Sequence, residues 1–221
     1  MKIVIVEDHV LTRDLLHLLC KRELNHEVVG EAADGQQAVE VIVRCKPDLV
    51  LLDLHLPEFS GFCVVETIRK AGCRPRILAL SSFCDDYTVY WIEQVRLDGF
   101  VDKMASLVSN LQDAIVAVAE GRGYFCDSYN RLKSARRVDP AAFDKVLTDR
   151  EQGILTMIGD MLTDHEIAER LEISDLTVEK HRSNMLRKLG LGNRTLLARY
   201  AHEHGFTQGV GIESLSLSRS R

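Results

Sequence analysis

Several features are missing from this 221-residue sequence, and each absence removes a class of protein. No apolar run is long enough to span a bilayer, and the opening MKIVIVEDH holds only four consecutive apolar residues before an acid, so neither a membrane span nor a signal peptide is read. The chain is expected to be soluble and cytoplasmic, with no membrane partner. Its six cysteines (Cys20, Cys45, Cys63, Cys73, Cys84, Cys126) include no Cys-x-x-Cys pair. Their scatter through apolar-periodic segments points to reduced core thiols rather than to a zinc site or a disulfide framework. The first strand-to-helix turn, IVEDHVLT, lacks the G-x-G-x-x-G that lets a backbone approach a pyrophosphate, which disfavours a dinucleotide-dependent oxidoreductase. The formal net charge of −5 is modest but uneven: 13 basic and 19 acidic residues precede Gly123, against 15 and 14 from there on. The acidic half is no candidate for nucleic acid, and the other half is one only where its charges cluster.

What is present begins with alternation. Short apolar runs are each followed by a segment of helical period: KIVIVE, then Val10 to Leu24; EVVGEA, then Gln36 to Arg44; DLVLLD, then Phe62 to Ala71; RILALS, then Asp85 to Val95; GFVDK, then Leu107 to Glu120. Five such repeats predict an α/β doubly wound five-stranded parallel sheet with helices on both faces. The run Leu49, Val50, Leu51, Leu52 does not alternate, as befits a strand covered on both sides, and it ends on Asp53.

In such a sheet, ligands bind beyond the carboxyl ends of the strands. Those ends carry Glu7 and Asp8, Asp53, Ser81 and Lys103. Three carboxylates on one rim repel one another unless a cation sits among them. A hard, oxygen-seeking ion such as Mg²⁺ suits the set and keeps waters for an incoming phosphate. Asp53, held ionised beside a metal and a lysine, reads as a nucleophile or a ligand.

These residues, with the D-x-x-x-P-x-x-x-G stretch formed by Asp53, Pro57 and Gly61, resemble the flavodoxin-like receiver domain of bacterial two-component response regulators, over residues 1–121. The resemblance implies that Asp53 accepts a phosphoryl group from a sensor histidine kinase. It further implies that Glu7, Asp8, Asp53 and the backbone carbonyl of His55 hold Mg²⁺, that Ser81 and Lys103 bind the phosphoryl oxygens, and that Phe100 is an aromatic switch. Two departures stand out: Leu56 replaces the methionine usual before this proline, and Arg96, Leu97 and Asp98 replace small residues before the fifth strand. Tyr87, Tyr90 and Trp91, at helical spacing, are read as core, with an altered output interface as the other reading.

Residues 122–144, which follow Gly121, have a glycine, a proline and a basic cluster (Arg131, Lys133, Arg136, Arg137), and read as a linker with one helical turn. From 145 to 208 the pattern is that of a small all-α domain. Thr148 with Glu151 and Thr163 with Glu166 form T-x-x-E capping boxes. Ile154, Leu155 and Ile158 give the first helix a buried face, and Ile167, Ala168 and Leu171 give the second one. Ser174 caps a third helix lined by Val178, Met185 and Leu189, and two short helices joined by so tight a turn form a helix-turn-helix. Between Ser174 and Arg199, six basic residues face two acidic ones, a phosphate-facing signal. LTDRE, EIAERL, S-x-x-TV-x-x-H and KLGL-x-x-R resemble the DNA-binding domain of the LuxR/NarL/FixJ regulators. By that resemblance Thr177, Glu179, Lys180, Arg182 and Ser183 face DNA, with Arg187 and Lys188 from the basic cluster, and the last helix, about Thr195 to His204, pairs two copies. Glu179 stands where many relatives carry lysine; it either accepts from a cytosine N4 or folds back on a neighbouring lysine. His202 and His204 read as surface residues, and the tail 209–221 as disordered.

The sequence is therefore expected to encode a non-enzymatic DNA-binding response regulator, homodimeric when active, that binds promoter duplex. The alternative is a phosphorylation-independent transcription factor whose atypical receiver serves dimerisation or ligand binding. An aspartyl-phosphate phosphatase is a weaker rival, since its acid/base carboxylate would have to stand where His55 does.

Overall fold

The computed structural model describes residues 1–57, 59–104 and 108–206. The chain divides into two compact units, the first chiefly residues 1–132 and the second chiefly residues 133–206. The tail that reads as disordered, with residues 207 and 208, lies outside the described residues.

The first unit alternates β1 (Lys2–Val6), α1 (Val10–Leu18), β2 (Glu27–Ala32), α2 (Gly35–Cys45), β3 (Leu49–Asp53), α3 (Gly61–Lys70), β4 (Arg76–Ser81), α4 (Asp86–Gln94), β5 (Gly99–Asp102) and α5 (Val108–Ala119). The helix expected from Val10 to Leu24 ends its α-helical part at Leu18 and finishes as a π-helical turn over Leu19–Glu23. All strands are parallel, in the order β2-β1-β3-β4-β5-β6. The sheet is thus one strand wider than the five expected, because β6 (Tyr124–Phe125) pairs with β5 inside the segment read as linker. The same segment also holds a full helix, α6 (Asp127–Val138), rather than one turn. Its missed signal has a simple cause: only Tyr129 and Arg136 of α6 are buried, so no apolar stripe marks it.

Every residue of β3 is buried, as its unbroken apolar run requires. One face of the sheet offers Ile3, Ile5, Leu49, Leu51, Leu78, Leu80 and Val101 to Leu16 and Leu19 and to Ala114, Ile115 and Val118 of α5. Alternate residues such as Val4, Val50 and Leu52 face the other way, where α2 and α3 pack on each other. Trp91 is buried, as expected of a core member of the aromatic triplet, and Tyr90 is half-buried.

In the second unit, after the short α7 (Phe143–Val146), come α8 (Asp149–Gly159), α9 (Asp164–Arg170), α10 (Asp175–Leu189) and α11 (Arg194–Glu203). Both capping boxes form, at Thr148/Glu151 and Thr163/Glu166, and Ser174 and Asn193 cap the two later helices through their side-chain oxygens. Ile154, Leu155, Ile158, Ile167, Val178 and Met185 are fully buried, whereas Leu171 and Leu189 are half-buried. Gly190 ends α10 at φ 66°, the left-handed conformation that glycine adopts without a Cβ clash. Among the described residues no helix is long and apolar enough to cross a membrane.

Candidate functional site

The strand order reverses between β1 and β3, which puts the crevice beyond their carboxyl ends. Glu7 and Asp8 follow β1, Asp53 ends β3 and Lys103 follows β5. The Lys103 Nζ lies 2.7 Å from Glu7 Oε2 and 2.6 Å from Asp53 Oδ2, bridging two carboxylates that are 1% and 5% exposed. The other Asp53 oxygen accepts the backbone N–H of His55 at 2.9 Å. Burial, opposed by the Lys103 hydrogen bond and reinforced by the Asp53 charge, pushes the Glu7 carboxyl up. Burial works to lower the Lys103 ammonium, and its two carboxylate partners outweigh burial and raise it.

Carboxylate oxygens of Glu7, Asp8 and Asp53 all lie within 4.8 Å of one another. Three oxygen donors at that spacing, with Asp8 nearest solvent, fit a hard divalent cation that keeps some of its waters. They border a cleft of about 500 Å³ whose walls include Thr12, His55, Ser82 and Phe83.

Ser81, fully buried, is placed at this rim but turned from Asp53: its Oγ is 3.1 Å from His55 Nδ1, donates to the Phe83 carbonyl at 2.8 Å and accepts the Phe83 N–H at 3.0 Å. Phe100, also fully buried, stands on β5 with its ring 6.0 Å from that of Tyr129. The sequence reading used only the backbone carbonyl of His55, and missed that its ring spans the cleft wall to Ser81. It also missed Arg13, whose guanidinium donates to the Glu7 carbonyl at 2.6 Å and holds the β1–α1 turn. Nothing local to His55 signals a partner 26 positions away. The third position of the D-x-x-x-P-x-x-x-G pattern, by contrast, now has a steric reason: a Cβ on Gly61 would stand 2.5 Å from the Asp53 carbonyl oxygen and 2.9 Å from Leu54 Cα.

In the second unit, α10 exposes Glu179, Lys180, Ser183 and Arg187, which span an arc of about 100° at 3.6 residues per turn. Leu176, 73% exposed, falls on the same arc, and an apolar residue within a polar face was the signal for it. Thr177 faces the cap instead, its Oγ1 2.8 Å from Ser174 Oγ. Arg182 Nε is 2.9 Å from Asp164 and Lys188 Nζ is 2.6 Å from Glu151, so these two cations tie α10 to α9 and α8. Burial works to raise the Glu151 carboxyl, and Lys188 and the Thr148 amide overcome it and hold it low.

Residues 3–116 match the response regulator receiver domain, and residues 145–201 match the luxR family of bacterial regulatory proteins. The chain is 31% identical to the nitrate/nitrite response regulator protein homolog of Haemophilus influenzae over 88% of its own length and 92% of that protein's. It is a response regulator. Its likeness to the response regulator protein VraR of Staphylococcus aureus is also 31%, over 94% of this chain and 99% of the other. Among solved structures, this response regulator shares its fold with RcsB of Salmonella enterica serovar Typhimurium, bound in that structure to promoter rprA in the presence of phosphomimetic BeF3- (TM-score 0.66, 21% identity, 90% of this chain and 97% of that one). The family is one of two-component regulators with a LuxR-type DNA-binding domain, which is what the two halves of the sequence resemble.

Proposed function

We propose that Asp53 is the phosphoacceptor and that its phosphorylation controls dimerisation and promoter binding in the cytoplasm. The observation that carries this reading is the Lys103 ammonium seated between Glu7 and Asp53, beside a third carboxylate and open to the cleft. A sensor kinase presents a phosphohistidine; an Asp53 oxygen forms a bond to phosphorus as the P–N bond breaks, and the leaving imidazole keeps that electron pair. Lys103 leaves its carboxylate partners to neutralise the arriving oxygens. Ser81 reaches the same oxygens only by giving up His55 and Phe83, and its departure lets the Phe100 side of β5 repack. Glu7, Asp8, Asp53 and the His55 carbonyl would hold Mg²⁺. When bound, Mg²⁺ supplies charge neutralisation at the phosphoryl group.

In the second unit, the exposed arc of α10 enters the major groove of promoter duplex, with Glu179, Lys180, Ser183 and Arg187 at bases and phosphates. Thr177, Arg182 and Lys188 position that helix and reach the backbone at its margins. The relative RcsB, seen on promoter DNA with a phosphomimetic, supports the coupling of the two activities. Incubation with Mg²⁺ and acetyl phosphate, followed by intact-mass measurement, tests it: a gain of one phosphoryl group is expected in the unmodified chain and none in Asp53→Ala. An equal gain in both, or in neither, sinks the assignment.

A further inference from the structure

The first turn of α10 carries one side chain that the packing of its own domain does not account for. Asp175 is engaged by α9, its carboxylate 3.2 Å from His165 Nδ1. Thr177 turns back on the cap: its amide donates to Ser174 Oγ at 3.2 Å, and its hydroxyl lies 2.8 Å from the same oxygen. Val178 is fully buried and belongs to the core. Leu176, between them, is 73% exposed.

Exposure alone would say little, because single apolar residues are common on protein surfaces. The position of Leu176 says more. At 3.6 residues per turn it stands near the middle of the exposed arc, with Lys180 about 40° to one side and Glu179 about 60° to the other. Ser183 and Arg187, also exposed, follow along nearly the same line. Leu176 is the most amino-terminal member of that arc, and in a helix-turn-helix the amino-terminal residues of the recognition helix are those that meet base edges.

The chemistry of the side chain then selects the base. In the major groove every base edge offers donors or acceptors, and only thymine adds a methyl group, at C5. Leucine has neither donor nor acceptor, so against the other edges it removes water from polar atoms and gives nothing in return. Against the thymine methyl it buries apolar surface on both partners. We propose that Leu176 is a specificity-determining residue whose side chain packs on the C5 methyl of one thymine in each half-site. The inference rests on the docking of α10 proposed above and extends it to a base. Lys180, one turn on, is near enough to hold a neighbouring phosphate while the leucine lies on that base. Leu176 therefore chooses among sequences and adds nothing to the electrostatic part of binding.

The full chain, treated with Mg²⁺ and acetyl phosphate and also left untreated, first selects its duplex from a random pool. Each thymine of the selected site is then replaced in turn by deoxyuridine, which pairs as thymine does and lacks only the methyl group. Dissociation constants are measured for the unmodified chain, Leu176→Ala and Leu176→Met. At one thymine per half-site, uracil is expected to weaken the unmodified chain about fourfold, the worth of one buried group of methyl size. Leu176→Ala is expected to bind the thymine and uracil duplexes equally, and Leu176→Met to regain part of the difference. The slope of log K against log salt is expected to be the same for all three chains, because no charge is lost. Duplex binding in which no thymine methyl counts, or in which Leu176→Ala loses as much on uracil, would overturn the proposal and leave α10 in the groove. A selected site without thymine would do the same. Weaker pairing of Leu176→Ala in sedimentation without DNA would also overturn it, by assigning the leucine to a contact between copies. No duplex binding at all would remove the docking of α10 and this proposal with it. The uracil scan of the unmodified chain can refute the proposal alone, so a variant that fails to fold does not protect it.

Discussion

At the scale of single residues, Lys103 is the keystone of the first unit, since it is the cation that Glu7 and Asp53 share. Taking it away leaves two buried carboxylates facing each other, and breaking a buried pair typically costs about 3–5 kcal/mol. Lys103→Met in Mg²⁺-free buffer is therefore expected to lower stability by about 3 kcal/mol, toward the lower end of that range. The sequence has a single tryptophan, Trp91, whose ring lies 6.2 Å from Phe62 and so reports on this unit in a urea titration. Adding Asp53→Asn to Lys103→Met removes one of the two charges left facing each other, so the double variant is expected to be more stable than Lys103→Met alone; equal or lower stability would mean that the bridge matters little. Gly61 carries the second prediction. A Cβ there collides with the backbone of Asp53 and Leu54, not with a yielding side chain, so Gly61→Ala is expected to cost about 1–3 kcal/mol and to slow phosphate uptake at Asp53, read by intact mass over time. The placement of Glu7, Asp8, Asp53, Ser81 and Lys103 at strand ends was legible in the sequence because each follows an apolar run. The partners that set their geometry, such as His55 for Ser81, were not, because those contacts cross 26 positions of chain.

At the scale of elements, the most legible parts were those with two coincident signals. A T-x-x-E box followed by a helical apolar stripe predicted α8 and α9, and both boxes form. β6 and α6 were illegible for the converse reason: a two-residue strand has no period, and a helix that buries one tyrosine and one arginine has no stripe. Glu151 shows how a cap signal understates its role, since the carboxylate that closes the first box also receives Lys188 from α10. Its folded pKa lies below the ordinary 4.5, so its stabilisation is complete above pH 4.5 and is lost as the pH falls through the lower folded value. Glu151→Gln keeps the box, because glutamine also serves at that position, but loses the charge pair. The unmodified chain is expected to melt at a higher temperature than Glu151→Gln at neutral pH, with the difference narrowing as the pH is taken below 4.5 and the carboxylate protonates. Circular dichroism melts of the full chains at neutral and at acid pH would show a constant gap if the charge were irrelevant.

At the scale of the whole molecule, the uneven charge sets how the two units share the work. The acidic half repels duplex, and under the proposed docking the arc of α10 supplies the cations that oppose the repulsion. Each phosphate that the protein neutralises contributes a slope of about −0.9 to log K against log salt. If phosphorylation acts by pairing two copies, it doubles the phosphates engaged on a duplex with two half-sites without changing those engaged by each copy. Treatment with Mg²⁺ and acetyl phosphate is then expected to roughly double the salt slope on a two-site duplex, selected by the protein from a random pool. On a single half-site the slope is expected to stay as it was, and Asp53→Ala is expected to respond on neither. Lys180→Ala and Arg187→Ala should each lower the slope by about one per copy. A phosphorylated chain that binds more tightly with an unchanged slope on two sites would mean that phosphate frees a helix already carried by a monomer, and would place control in the exposure of α10 rather than in pairing.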